Sequence, residues 1–161
     1  MEQEQIQYRL VLVPCPFQGH LTPMLQLGGV LRSRGFRITV AHTVFNSPNP
    51  SEFPDFDFLP MPDGLCDPNV SSQNFISVIT GFNVNCRAPL EESLGQIMGS
   101  NDQHESIACV IYDEYMYFSN EVADHLQLPS IILVTSSALN TLSYHAIPRL
   151  VKDGYIPLQG V

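Results

Sequence analysis

Three short apolar runs constrain this chain most: Tyr8 to Val13, Ser106 to Tyr112 and Ser130 to Val134. Each is dominated by Val, Ile and Leu, lacks the apolar/polar alternation of a half-solvated strand, and is too short for a buried helix. Such runs read as parallel strands covered on both faces. Each leads into a segment with helical periodicity: Met24, Leu25, Leu27, Gly28 and Leu31 after the first, about Phe118 to Leu126 after the second, Asn140 to Leu150 after the third. Strands alternating with helices predict an α/β domain with one parallel sheet. Gly35 punctuates the first unit, and Phe36, Ile38 and Val40 alternate as a further strand, so the opening unit is βαβ.

Right-handed crossovers put the carboxyl ends of all these strands on one rim, where open α/β sheets bind ligands. Val13-Pro14-Cys15-Pro16-Phe17-Gln18-Gly19-His20-Leu21 leaves the first strand, with Thr22 expected as helix N-cap, Pro23 as first helical residue, and Phe17 to Leu21 as a loop. The second strand ends in Asp113-Glu114 and the third in Thr135-Ser136-Ser137. His20, Asp113 and the Thr-Ser-Ser run therefore converge, although they lie far apart in sequence. Alone, His20 could be an exposed residue beside a helix start, and Asp113 a helix cap. Together they form a candidate general-base dyad, the carboxylate orienting the imidazole and stabilising the imidazolium.

Other chemistries fit less well. Ser136 or Ser137 could complete a hydrolase triad, but there is no G-x-S-x-G elbow and the run reads as a helix cap. The loop after the first strand is not G-x-G-x-x-G, and no Walker A lysine is present. Cys15, Cys66, Cys86 and Cys109 lie too far apart for a C-x-x-C metal or redox motif; Cys109 sits in an apolar run and reads as packing. A net charge of −9 from sixteen acidic and seven basic residues argues against nucleic acid or an anionic membrane as partner. No segment reaches the roughly 20 apolar residues needed to span a bilayer. The polar start, Met1-Glu2-Gln3-Glu4-Gln5, lacks a signal-peptide pattern, so a cytoplasmic protein is expected.

Between these units, Phe56, Phe58 and Leu59 suggest a short strand inside a long Pro-rich connection from Asn46 to Asp67. Ser72 to Met98 reads as mostly helical and interrupted near Pro89, with Phe75, Val78, Ile79 and Phe82 on one face as core. Gly99 to Glu105 reads as a polar loop. At 161 residues, residues 1–7 are expected as a polar tail and 8–161 as a single domain.

Three blocks carry a resemblance to a known family: Leu12 to Leu27 with its Pro-Phe-Gln-Gly-His core, continuing through Gly35 to Asn46; Ile111 to Phe118; and Leu133 to Asn140. In this order they resemble the N-terminal part of plant UDP-dependent glycosyltransferases, closest to the cytokinin, terpenoid and steviol glucosyltransferase subgroup. The resemblance implies a Rossmann-like parallel sheet flanked by helices, the acceptor-binding N-terminal half of a two-domain GT-B enzyme. It implies an inverting transfer of a sugar, glucose above others, from a UDP-sugar to a hydroxyl of a small hydrophobic plant metabolite. His20 would be the catalytic base and Asp113 its partner. Gly19 and Thr135 resemble donor-binding positions, and Phe17, Tyr115, Asn140 and Tyr144 resemble acceptor-binding ones, with 75–82 as a mobile outer wall. No cofactor and no metal is implied, since the UDP-sugar is a co-substrate. The family's C-terminal donor domain is not in this sequence, so the chain is expected to be truncated, and weak or inactive by itself. A non-catalytic half-domain that binds an aglycone or a partner is the alternative reading.

Overall fold

A computed structural model describes residues 8–65, 75–100 and 106–157. The expected polar tail, Cys66, the first residues of the 72–98 helical region and most of the loop at 99–105 lie outside the described residues. The elements run β1 (Arg9–Val13), α1 (Gln18–Ser33), β2 (Arg37–Thr43), a 3-10 turn (Pro50–Glu52) and β3 (Phe56–Met61). They continue with α2 (Phe75–Asn85), α3 (Arg87–Gly99), β4 (Ile107–Asp113), α4 (Phe118–His125), β5 (Ser130–Leu133) and α5 (Ala138–Lys152).

All five strands are parallel, in the order β3-β2-β1-β4-β5. Side-chain alternation splits the core into two layers. Leu10, Leu12, Ile38, Val40, Cys109 and Ile111 face α1, packing on Leu21, Met24 and Leu25. Val11, Val13, Ala41, Val110 and Tyr112 face α2, α3 and α4, packing on Val78, Phe82, Leu90, Leu94 and Val122. The continuous apolar runs are thus explained: neither face of β1 or β4 meets water.

The chain winds outward from β1 in one direction through β2 and β3, and from β4 in the other through β5. The order therefore reverses between β1 and β4, which pair side by side with Val13 opposite Tyr112. A crevice forms at such a switch point, beyond the carboxyl ends of the two strands.

Three local expectations are corrected. Helix α1 begins at Gln18, not after Thr22, and Pro23 lies inside it. Extended Phe17 (φ −85°, ψ 141°) is the N-cap, and its carbonyl accepts from both His20 and Leu21 N–H. The bond Pro23 cannot make would go to the carbonyl of Gly19, an exposed first-turn residue where its loss is tolerated. The break in the 72–98 region comes at Cys86, and Pro89 sits in the first turn of α3, where a missing N–H costs nothing. Strand β5, expected to be buried on both faces, is the edge strand within this stretch of chain, where Ile131 and Ile132 are 57% and 49% exposed and no residue of α5 is buried.

Candidate active site

The loop after β1 and the end of β4 flank the switch point. Pro14, Cys15 and Pro16 are buried as the chain leaves β1, and Asn46 Nδ2, from the segment after β2, donates to the Pro16 carbonyl at 2.6 Å. That anchorage presents His20 in the first turn of α1. Its Nδ1 lies 2.8 Å from Oδ2 of Asp113, which is wholly buried, while the His20 side chain is 19% exposed. The second oxygen of Asp113 accepts from the Tyr115 N–H at 3.0 Å, and its carbonyl accepts from Met116 N–H. Both carboxylate oxygens are therefore used, and the side chain has little freedom to turn.

Thr135, immediately beyond β5, adds a contact that sequence reasoning did not assign: its Oγ1 is 2.9 Å from the same His20 Nδ1. A carboxylate only accepts, so with Asp113 ionised Nδ1 carries the proton and shares it between the Asp113 and Thr135 oxygens. The lone pair of the neutral ring is then on Nε2. This arrangement can take a proton at Nε2 and stabilise the resulting imidazolium from Nδ1. It does not match a serine hydrolase triad. Ser137 Oγ caps α5 by accepting from Asn140 N–H, the Ser136 hydroxyl is buried without a hydrogen bond, and Thr135 sits on the Asp113 side of the ring.

An aromatic wall borders the pair. The rings of His20 and Tyr115 are 5.0 Å apart, Tyr115 and Phe75 5.3 Å, Phe75 and Phe17 5.2 Å, and Phe17 and Phe45 6.4 Å. Phe45 also meets Phe82 edge-on at 5.6 Å, which joins the wall to the core. Phe17 and Tyr115 thus lie in one wall, joined through Phe75. Phe75, read as core from its periodicity and as outer wall from the resemblance, is half-exposed and belongs to the wall, whereas Val78, Ile79 and Phe82, expected in that wall too, are core. Phe45 was missed; its position two residues beyond β2, on the same rim, was the available signal.

Asn140 and Tyr144 lie one turn apart on exposed α5. The Tyr115 hydroxyl is pushed above the usual phenol range, by burial first and then by the Glu114 carboxylate and Tyr144. Gly19 is exposed, and a Cβ built there would meet nothing within 4 Å, so nothing in the chain itself requires glycine at that position. Cys15, beside the site, is no nucleophile. Its thiol is pushed up to about 12, by burial first and then by Asp113. No group of three His, Cys, Asp or Glu side chains suited to a metal occurs among the described residues. Nor is any described helix long and apolar enough to cross a membrane.

A parallel sheet of this order with helices on both faces is Rossmann-like, and solved structures place it as the N-terminal half of the GT-B glycosyltransferase fold. Phytolacca americana UGT2, solved with UDP-2fluoro-glucose and pterostilbene, superposes with a TM-score of 0.73 at 21% identity, over 93% of this chain and 35% of that one. A Polygonum tinctorium UDP-glucosyltransferase that glucosylates indoxyl superposes with a TM-score of 0.73 at 19% identity, over 91% of this chain and 34% of that one. By sequence, the chain is similar to plant UDP-glycosyltransferases over most of its own length. It is 48% identical to UDP-glycosyltransferase 76E1 of Solanum lycopersicum over 129 residues, 80% of this chain and 26% of the relative. It is 38% identical to UDP-glycosyltransferase 76E1 of Arabidopsis thaliana over 157 residues, 97% of this chain and 34% of the relative. The chain therefore spans about a third of the length of the relatives it matches. No protein-family model matches it.

Proposed function

We propose that the protein carrying this chain is an inverting UDP-dependent glycosyltransferase acting on a hydroxyl of a small aromatic acceptor, with glucose as the transferred sugar. The observation that carries this reading is the held imidazole. Asp113 and Thr135 occupy Nδ1 of His20, so the ring's free lone pair is Nε2, the atom needed to take a proton from a bound hydroxyl. As that proton moves to Nε2, the acceptor oxygen forms its bond to the anomeric carbon. The bond from that carbon to the diphosphate oxygen breaks, and its electron pair leaves with UDP from the opposite face, inverting the centre. Buried Asp113 stabilises the imidazolium as it forms, when stabilisation lowers the barrier.

Phe17, Phe45, Phe75 and Tyr115 supply the acceptor side, since each aromatic contact with a flat acceptor contributes about 0.5–1.5 kcal/mol beyond burial. Asn140 and Tyr144, one turn apart on α5, are assigned to the acceptor side with them. Gly19 and Thr135 serve on the donor side: the open space at Gly19 suits close approach of a sugar phosphate, and the Thr135 hydroxyl proton remains free to donate. The UDP-sugar is a co-substrate.

The test is to incubate the whole protein with UDP-glucose and pterostilbene, the small molecule bound in the Phytolacca americana structure. The proposal predicts a glucoside with inverted anomeric configuration and release of UDP. Pterostilbene binding with no transfer to it or to a panel of phenols would favour a non-catalytic binding module instead.

A further inference from the structure

We propose that Asn83 is a positioning residue that fixes the acceptor wall against the His20–Asp113 pair, an inference that rests on the glycosyltransferase reading above. Asn83 is 8% exposed, near the end of α2 on the face that carries Val78, Ile79 and Phe82 into the core. Asparagine is a mediocre helix former, and an apolar residue would suit this face better, so neither helix propensity nor packing explains it. Its amide makes three hydrogen bonds, two donated and one accepted. Nδ2 donates to the Ile79 carbonyl at 2.9 Å and to the Tyr115 carbonyl at 2.7 Å, while Oδ1 accepts from the Phe118 N–H at 2.9 Å. Phe118 begins α4, so Asn83 satisfies one of the donors that every helix start leaves open.

Both ends of this connection touch the site. The Tyr115 N–H is held by Asp113 and the Tyr115 carbonyl by Asn83, so one residue hangs between the catalytic carboxylate and the wall helix. The Tyr115 ring in turn lies between His20 and Phe75, the first residue of α2. Helix α2 therefore carries both the wall, at Phe75, and the tie, at Asn83. The spacing of Phe75, Tyr115 and His20 follows from where this amide sets α2 relative to the turn after β4.

The experiment compares Asn83→Leu and Asn83→Asp with wild type in the whole protein. Aspartate keeps the acceptor for Phe118 but loses the donor to Tyr115, so it tests the tie even where leucine prevents folding. With UDP-glucose and pterostilbene, KM for pterostilbene rises at least tenfold in both variants while kcat stays within about threefold, because neither substitution removes a group from His20 or Asp113 and the Asp113 oxygen on His20 is not the one on Tyr115. A merely structural role would lower the active fraction, reducing kcat with KM unchanged, and that result overturns the proposal. Hydrogen exchange decides independently of activity. The Tyr115 amide, bonded to Asp113 and not to Asn83, exchanges at least tenfold faster in the variants, and an unchanged Tyr115 amide overturns the proposal. A wild-type protein that transfers no sugar refutes the glycosyltransferase reading alone, and the exchange measurement still decides the tie.

Discussion

Asp113→Asn places one oxygen where the carboxylate has two. In the native site Oδ2 accepts from His20 Nδ1 and Oδ1 accepts from the Tyr115 N–H. An asparagine oxygen turned toward His20 would set its NH2 against the Tyr115 N–H, leaving a buried donor unsatisfied at about 1–3 kcal/mol. An oxygen kept on Tyr115 sets the NH2 against Nδ1 and asks only that the ring move its proton to Nε2. That exchanges a charge-assisted bond for a neutral one, at roughly 1 kcal/mol. The second arrangement is therefore favoured, and a difference of about 1.4 kcal/mol already corresponds to a tenfold preference. The ring then presents a proton where the acceptor hydroxyl needs a lone pair, and transfer by the whole protein falls by about 10²–10⁴ with little change in acceptor affinity. Nitrogen-15 NMR of histidine-labelled protein, at a pH where the ring is neutral, reads the tautomer directly; the His20 signals are identified by their loss in His20→Ala. Wild type is expected with the proton on Nδ1 and the variant with it on Nε2. A native ring protonated on Nε2, or a variant that keeps the proton on Nδ1, would refute this reasoning.

The thiols of Cys15 and Cys86 are each raised to about 12, mainly by burial, so neither reacts with iodoacetamide at pH 8 unless the protein is unfolded. An unfolded thiol ionises near its ordinary value of 9.0, so above that pH the unfolded state releases protons that the folded state keeps. Stability, read by urea titration, therefore falls as the pH rises from 9 toward 12. Gly64 has φ +67°, and an added Cβ would lie 2.7 Å from Asn85 Nδ2, which donates to the Asp63 carbonyl. Gly64→Ala is expected to cost about 2 kcal/mol in the same assay, from left-handed strain and displacement of that bond. Phe82→Ala removes a fully buried ring that also supports Phe45, and is expected to cost about 3–5 kcal/mol.

Strands β1 and β4 were legible to within a residue, because burial on both faces imposes a continuous run of Val, Ile and Leu. The convergence of His20 and Asp113 followed from topology alone, since parallel strands bring their carboxyl ends to one rim. Local signals misled where tertiary anchorage outweighed them. Thr22-Pro23 is a better isolated helix start than Phe17-Gln18, yet the fixed exit from β1 starts the helix earlier and leaves Pro23 within it. The exposure of β5 was invisible in its apolar run, because composition reports what a strand can bury and not which neighbour covers it. Thr135 on His20, and Asn83 on Tyr115 and Phe118, are contacts across 115, 32 and 35 residues that leave no periodic trace. Family resemblance pointed to Thr135 by position, but its bond to the imidazole emerged only from the fold.

The central claim, that His20 is the base for sugar transfer, is tested most directly by His20→Ala in the whole protein, measuring transfer from UDP-glucose and pterostilbene affinity side by side. Transfer is predicted to fall at least 10²-fold, in keeping with the usual contribution of a general base, while pterostilbene affinity changes no more than about twofold. Transfer within threefold of wild type would contradict the account.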